Sequence, residues 1–284
     1  MSAATNKVEA IVSRYCQEFP EQVSALTNHI EETSRSDGDS YALIRDLRSE
    51  LHRMGGAAHC MGFRQVGEEL NDIEHELRAL HTRDVSVILR TLPEIASRIH
   101  SLHHYLTVMS PQKSKLVQRT TVSEQMTVGT LVSQRDVAQE DSRRRMMSKE
   151  KILFAEDDPY VREMIQSTLL DMGAGELHVA ASGYEVLKVL NDFEPTVIIT
   201  DWHMEPVSGL ELLRCIRRGG TGLPADTPVI FFTSQKDTES TMTANRNGVN
   251  MVIGKPVLPS ALRDNVLKVV EKKYHVKRRP RSMN

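Results

Sequence analysis

After Lys149 the chain changes rhythm: five short apolar runs, KILFA, LHVAA, TVIIT, PVIFF and MVIG, alternate with amphipathic stretches of helical length. Runs of four or five residues that are apolar at nearly every position are expected to be buried on both faces. Strands of that kind, separated by helices, predict a parallel five-stranded sheet covered on both sides. Such sheets collect their functional residues beyond the carboxyl ends of the strands, so the chemistry is expected just after KILFA, TVIIT, PVIFF and MVIG. Charged and hydroxyl side chains stand there. Glu156, Asp157 and Asp158 follow the first run, Asp201 the third, Thr233 and Ser234 the fourth, and Lys255-Pro256 the fifth.

Carboxylates brought to one rim from separate strands repel one another unless a cation joins them. Hard oxygen ligands in a site open to water suit Mg²⁺. An aspartate in such a place can attack a phosphoryl donor, and a lysine ammonium and a hydroxyl can stabilise charge on the transferring oxygens. Each residue alone is more commonly a helix cap or a turn former. Their joint placement at four strand ends gives the set its meaning.

The first third of the chain follows a different period. From Val8 to about Leu106 apolar residues recur at helical spacing: Ile11, Tyr15 and Phe19; Val23, Leu26 and Ile30; Leu43, Leu47, Leu51, Met54 and Ala58; Val66, Leu70, Ile73, Leu77 and Leu80; then Ile88, Leu92, Ile95, Ile99, Leu102 and Leu106. This predicts an all-α bundle with short connections. SRSDGDS at 34–40 reads as a loop, and Pro20 as a first-turn residue opening a new helix. Between 111 and 147 there is no aromatic residue and a surplus of Ser, Thr and Gln, the composition of a flexible linker. The expected division is therefore a helical bundle over 1–110, a linker over 111–147, an α/β domain over 148–275 and a basic tail over 276–284.

Within the third helical pattern lies LHRMGGAAHCMGF, residues 51–63. Leu47, Leu51, Met54 and Ala58 take the core side, which turns His52 toward the surface edge, on a face shared with Arg45, Arg48 and His59. Two adjacent glycines inside a helix cost about 1 kcal/mol each relative to alanine. Access to His52 is one reason for Gly55 and Gly56 to stand there. Close packing of two helices is another.

The C-terminal pattern resembles the receiver domain of two-component response regulators, over roughly 125 residues, which implies a flavodoxin-like (βα)5 fold. The resemblance implies that Asp201 is the phosphoacceptor and that Glu156 and Asp157 are the acidic pair. It further implies that Asp157 and Asp201 bind Mg²⁺ with the backbone carbonyl of His203, and that Thr233 and Lys255 contact the phosphoryl oxygens. Gly209 stands eight residues after Asp201, where the family places a glycine, and the Lys255-Pro256 bond is expected to be cis. Departures from the family pattern are WHMEPVSG after Asp201, with its proline one place late, Ser234 in place of alanine, and Val252 where an aromatic switch residue is common. The N-terminal pattern is similar to the histidine-containing phosphotransfer (HPt) domain, a four-helix bundle, over about 100 residues. There the resemblance implies a phosphohistidine at His52, with Gly56 and Gly62 at the family's glycine positions and Gly55 where a lysine is usual; Arg48, Arg53 and His59 are the candidates to replace its charge.

The function this implies is a phosphorelay component that takes phosphate on Asp201 and passes it through His52. Its partners would be a histidine kinase and other receiver or phosphotransfer proteins. The alternative is a phosphorylation-gated interaction module whose helical domain is a scaffold that carries no phosphate. Beyond the receiver's own phosphorylation chemistry no enzyme is expected, since a Gly-rich nucleotide loop is absent. A net charge of −2, 39% hydrophobic and 26% charged residues describe a soluble globular chain, and no run reaches the roughly 20 apolar residues of a membrane span. Cys16, Cys60 and Cys215 lack disulfide or zinc spacing, which fits a reducing cytoplasm. KKYHVKRRPRSMN is basic, but no DNA-reading module accompanies it, so nucleic acid is not an expected partner. A homodimer through the receiver is compatible with the pattern.

Overall fold

The computed structural model describes residues 3–36, 39–80, 82–128, 134–234, 238–255 and 257–278. They form two compact units, Met1–Glu124 and Gln125–Asn284.

The first unit is built from α1 (Ala3–Arg35), α2 (Ser40–Cys60), α3 (Arg64–Leu80) and α4 (Val85–Ser101), followed by 3-10 turns and by α5 (Lys115–Val128). Its core is the set of apolar positions that helical spacing selects, with Tyr15, Phe19, Leu47, Leu51, Met54 and Leu70 fully buried. Asp39 caps α2 by accepting hydrogen bonds from the N–H groups of Tyr41 and Ala42, at 2.9 and 3.2 Å. Pro20 does not open a helix, contrary to expectation: α1 runs through it. A proline in a helix interior costs about 3 kcal/mol. Tyr15, Phe19 and Val23 on either side of it are all completely buried, each worth about 1.5–3 kcal/mol, so packing outweighs the defect.

The second unit contains α6 (Gln134–Met147), β1 (Lys151–Ala155), α7 (Pro159–Asp171), β2 (Glu176–Ala180), α8 (Gly183–Val189) and β3 (Val197–Thr200). These are followed by α9 (Gly209–Arg217), β4 (Val229–Thr233), α10 (Thr238–Arg246), β5 (Met251–Gly254) and α11 (Pro259–Arg278). The sheet has the order β2-β1-β3-β4-β5 with every pair parallel. Its central strands β3 and β4 are buried at every position, as their unbroken apolar runs require.

The stretch read as a linker carries helices at both its ends. Ser114 is buried and its hydroxyl donates to the Met61 carbonyl at 2.6 Å, while the Lys115 N–H reaches the Gly62 carbonyl at 3.2 Å, which ties the start of α5 to the helical unit. At the other end Met147 is buried, Glu140 pairs with Arg263 of α11 at 3.0 Å, and Arg144 caps the Asp171 carbonyl of α7 at 3.2 Å. The polar composition of 111–147 hid these few anchoring residues. The basic tail 279–284 lies outside the described residues.

Candidate functional site

The β1 strand delivers Glu156, Asp157 and Asp158 to the carboxyl rim of the sheet, and they part company at once. Asp158 accepts from the N–H groups of Tyr160 and Val161, both at 3.0 Å, and serves as the N-cap of α7 with Pro159 in its first turn. Glu156 turns inward. It is 1% exposed, Asp201 at the end of β3 is 5% exposed, and Asp157 is half-buried. One carboxylate oxygen from each of Glu156, Asp157 and Asp201 lies within 4.8 Å of the others.

Lys255 reaches into this cluster from the end of β5. Its ammonium lies 2.6 Å from Asp201 Oδ2 and 2.9 and 2.7 Å from the two oxygens of Glu156, and the side chain is almost wholly buried. Register brings it there, because Thr233 pairs with Gly254 and the Lys255 N–H donates to the Thr233 carbonyl at 2.7 Å. Thr233 is itself fully buried at the end of β4. Ionised carboxylates no more than 4.8 Å apart repel by roughly 3.5 kcal/mol or more at an effective dielectric of about 20, so one ammonium does not balance three acids. Burial, and then the neighbouring Asp201 and Asp157, push the Glu156 carboxyl well above the usual range even though Lys255 draws it down. A divalent cation fits this donor set of hard, clustered oxygens.

The loop after Asp201 is held by backbone geometry. The Trp202 N–H donates to Asp201 Oδ1, Trp202 packs its ring 5.0 Å from Phe231, and the Gly209 N–H returns to the Trp202 carbonyl at 3.0 Å. A Cβ on Gly209 would stand 2.0 Å from the Asp201 carbonyl oxygen, which is why only glycine fits there. Gly183 admits the far side of the loop in the same way, since a Cβ would lie 2.3 Å from the Val207 carbonyl. His203 is half-buried on this loop, and Glu205-Pro206 is its cis bond. The Lys255-Pro256 bond expected to be cis lies outside the described residues. Val252 packs against the sheet core beside Phe231.

Arg162 was not foreseen. From the first turns of α7 its guanidinium donates to the carbonyls of Glu156 and Asp157, at 2.6 and 2.9 Å, and so fixes the backbone that carries the acidic pair. Nothing in the sequence separates it from an exposed helical arginine.

In the helical unit His52 is half-buried on α2. The surrounding arginines are ion-paired: Arg45 with Asp46 at 3.1 Å, Arg48 with Glu74 at 3.3 Å and Arg53 with Glu50 at 2.7 Å. His59 turns away into the α2–α3 contact. Its Nδ1 lies 2.7 Å from the Gly55 carbonyl, and its ring occupies the place that a Cβ on Gly67 would take. The two glycines differ in role. A Cβ on Gly55 would meet Asn71 Oδ1 of α3 at 2.5 Å, whereas one on Gly56 would meet nothing within 4 Å. Gly55 permits helix packing and Gly56 leaves open space. Gly62, with φ of +86°, closes α2 where a side chain would strike the Lys115 and Leu116 backbone.

Comparison with known proteins matches residues 152–267 to the response regulator receiver domain and residues 10–103 to the Hpt domain. The chemotaxis protein CheY homolog of Campylobacter jejuni is 32% identical over 117 residues, covering 41% of this chain and 88% of that protein. Chemotaxis protein CheY1 of Helicobacter pylori is 30% identical over 117 residues, covering 41% of this chain and 93% of that protein. Among solved structures, the receiver domain of the Francisella response regulator 1452 is 26% identical, with a TM-score of 0.40, covering 44% of this chain and 99% of that one. The parallel sheet with its acidic rim and the helical bundle ahead of it are thus the two modules of a two-component phosphorelay, and the chain belongs to the response regulator receiver family, with an Hpt domain preceding the receiver.

Proposed function

We propose that the chain carries phosphate on two residues, Asp201 of the receiver and His52 of the Hpt domain, and moves it between a histidine kinase and other receiver or phosphotransfer proteins in the cytoplasm. The observation that carries this reading is the convergence of Glu156, Asp157, Asp201 and Lys255 on one rim, with the lysine ammonium 2.6 Å from Asp201 Oδ2. The natural division is a bundle over 1–110 and a receiver over 148–275, with the intervening helices α5 and α6 anchored one to each. Asp157 and Asp201, with the His203 carbonyl, would hold Mg²⁺, and Glu156 would complete the acidic pair. When bound, Mg²⁺ supplies the positive charge that the three carboxylates and an incoming phosphoryl group need.

Asp201 is the nucleophile, with its Oδ1 oriented by the Trp202 N–H. Lys255, already hydrogen-bonded to Asp201, balances the charge that the phosphoryl oxygens bring. Thr233, at the adjoining strand end, offers a hydroxyl to the same oxygens. On the Hpt side, the open space at Gly56 lets a phosphorylated aspartate approach His52. Incorporation of phosphate from acetyl phosphate and from a phosphorylated partner receiver, with Mg²⁺, tests the whole scheme. Wild type should be labelled at both residues, Asp201→Asn should lose one label and His52→Gln the other. Label that reaches Asp201 but never His52 would instead favour a docking scaffold in the helical domain.

A further inference from the structure

His52 stands at the border between a covered and an open part of α2. On a helix of 3.6 residues per turn, Gly55 and Gly56 lie on the two flanks of His52, one turn further on. The Gly56 flank is empty within 4 Å, and the Gly55 flank is filled from α3, whose Asn71 places Oδ1 2.5 Å from the position a Cβ of residue 55 would take. Asn71 therefore occupies the start of the path that a long side chain at residue 55 would follow. Residues three apart on a helix bring their Cβ atoms within about 5–6 Å, which puts the Asn71 amide within roughly 8 Å of the His52 Cβ, a span that an imidazole bearing a phosphoryl group can cover. Both Asn71 and His52 are half-buried, so each keeps part of its surface open.

The other polar candidates are committed elsewhere. Arg48 is held by Glu74, Arg53 by Glu50, and His59 by the Gly55 carbonyl and the Gly67 contact. We propose that Asn71 contacts the phosphoryl group on His52, donating its amide N–H to a phosphoryl oxygen from the neighbouring helix. The inference rests on the reading of His52 as a phosphate carrier. It gives the Hpt domain a neutral hydrogen-bond donor delivered from α3, and it gives Gly55 its purpose, because a side chain at residue 55 would have to push the Asn71 amide aside.

The test uses the full chain carrying Asp201→Asn, so that phosphate cannot rest on the receiver, with phosphoramidate as donor. An imidazole nitrogen of His52 forms the new N–P bond as the P–N bond of phosphoramidate breaks, and ammonia leaves with the proton that the ring releases. Label must disappear with His52→Gln, which identifies its site. Asn71→Asp keeps the size of the side chain while replacing the donor by a carboxylate. It is expected to lower the phosphohistidine yield by about tenfold or more, the scale of one hydrogen bond to a charged group. The Asn71 side-chain amide resonance, identified by its loss in that variant, should move when His52 is phosphorylated and stay in place in His52→Gln. Should Asn71→Asp fail to fold, Asn71→Ala takes its place, both to identify the amide resonance by its loss and to compare the phosphohistidine yield. Label on His52 with an unmoved Asn71 amide, or with Asn71→Asp labelled as well as the parent, overturns the Asn71 assignment and leaves the phosphohistidine intact. No label at His52 in the parent removes the phosphohistidine reading itself, and this inference with it.

Discussion

Gly209→Ala is the smallest change that should disable the receiver rim without touching a charged group. The added Cβ would lie 2.0 Å from the Asp201 carbonyl oxygen, 3.1 Å from its carbon and 3.2 Å from Thr200 Cγ2. Non-bonded atoms require at least 3.0–3.4 Å, so the backbone must open by roughly 1 Å, and the part that moves is the peptide of the proposed phosphoacceptor. The strain belongs to the overpacking class, about 1–3 kcal/mol, which corresponds to a fall in Tm of about 4–12 °C for a unit of this size. Catalytic groups that must be placed within about 0.5 Å do not survive a shift of this kind unharmed. Thermal unfolding of the receiver unit measures the first effect. The intrinsic fluorescence of Trp202, the sole tryptophan in the chain and the donor to Asp201 Oδ1, reports the second during a Mg²⁺ titration. A variant that melts within 1 °C of wild type and titrates identically would show that the 2.0 Å approach is not a constraint of the folded protein.

Arg162→Ala should weaken Mg²⁺ binding by about tenfold, since two carbonyl contacts that fix the Glu156 and Asp157 backbone are lost while every carboxylate remains; an unchanged titration of Trp202 fluorescence would refute the positioning role. Glu150 gives the receiver a pH dependence. Burial raises its carboxyl, but hydrogen bonds from Lys273, Thr196 and Tyr274 outweigh this and hold it below the ordinary value of 4.5. Its contribution is therefore present above pH 4.5 and is lost as pH falls through the depressed value. Glu150→Gln should lower the melting temperature at pH 7 and converge with wild type in acid; a gap that stays constant with pH would count against the ion pair.

The receiver was legible because strand ends are a one-dimensional property. An apolar run of four or five residues states where a strand stops, and a parallel sheet puts every stop on the same rim, so Glu156, Asp157, Asp201, Thr233 and Lys255 could be assembled without coordinates. The helical domain yielded its period and its core in the same way. What lay beyond reach were contacts that residue type and spacing do not record. Arg162 was invisible since its partners are main-chain carbonyls, which leave no trace in residue type. The face that His52 shares with Arg45, Arg48 and His59 reads as basic in the sequence, whereas Arg45 is paired with Asp46, Arg48 with Glu74 of α3, and His59 turns into the α2–α3 contact. Pro20 carried a strong local signal that the burial of Tyr15, Phe19 and Val23 overrode.

Gly55 and Gly56 show how two reasons for one motif can divide between its residues. Access to His52 and close helix packing both account for a glycine pair, and because the helix turns by 100° between them, Gly55 meets α3 while Gly56 meets nothing within 4 Å. Gly55 answers to Asn71, and Gly67 answers in turn to His59, so α2 and α3 interlock at two glycines contributed one from each helix. An exchange at Gly55 then alters packing before it alters charge. Lysine at residue 55 would have to push the Asn71 amide aside, so on the proposed reading the two ways of holding a phosphoryl group compete for one place. The absence of a lysine there is better understood as the presence of a neighbour from α3 than as the loss of a phosphate-binding group.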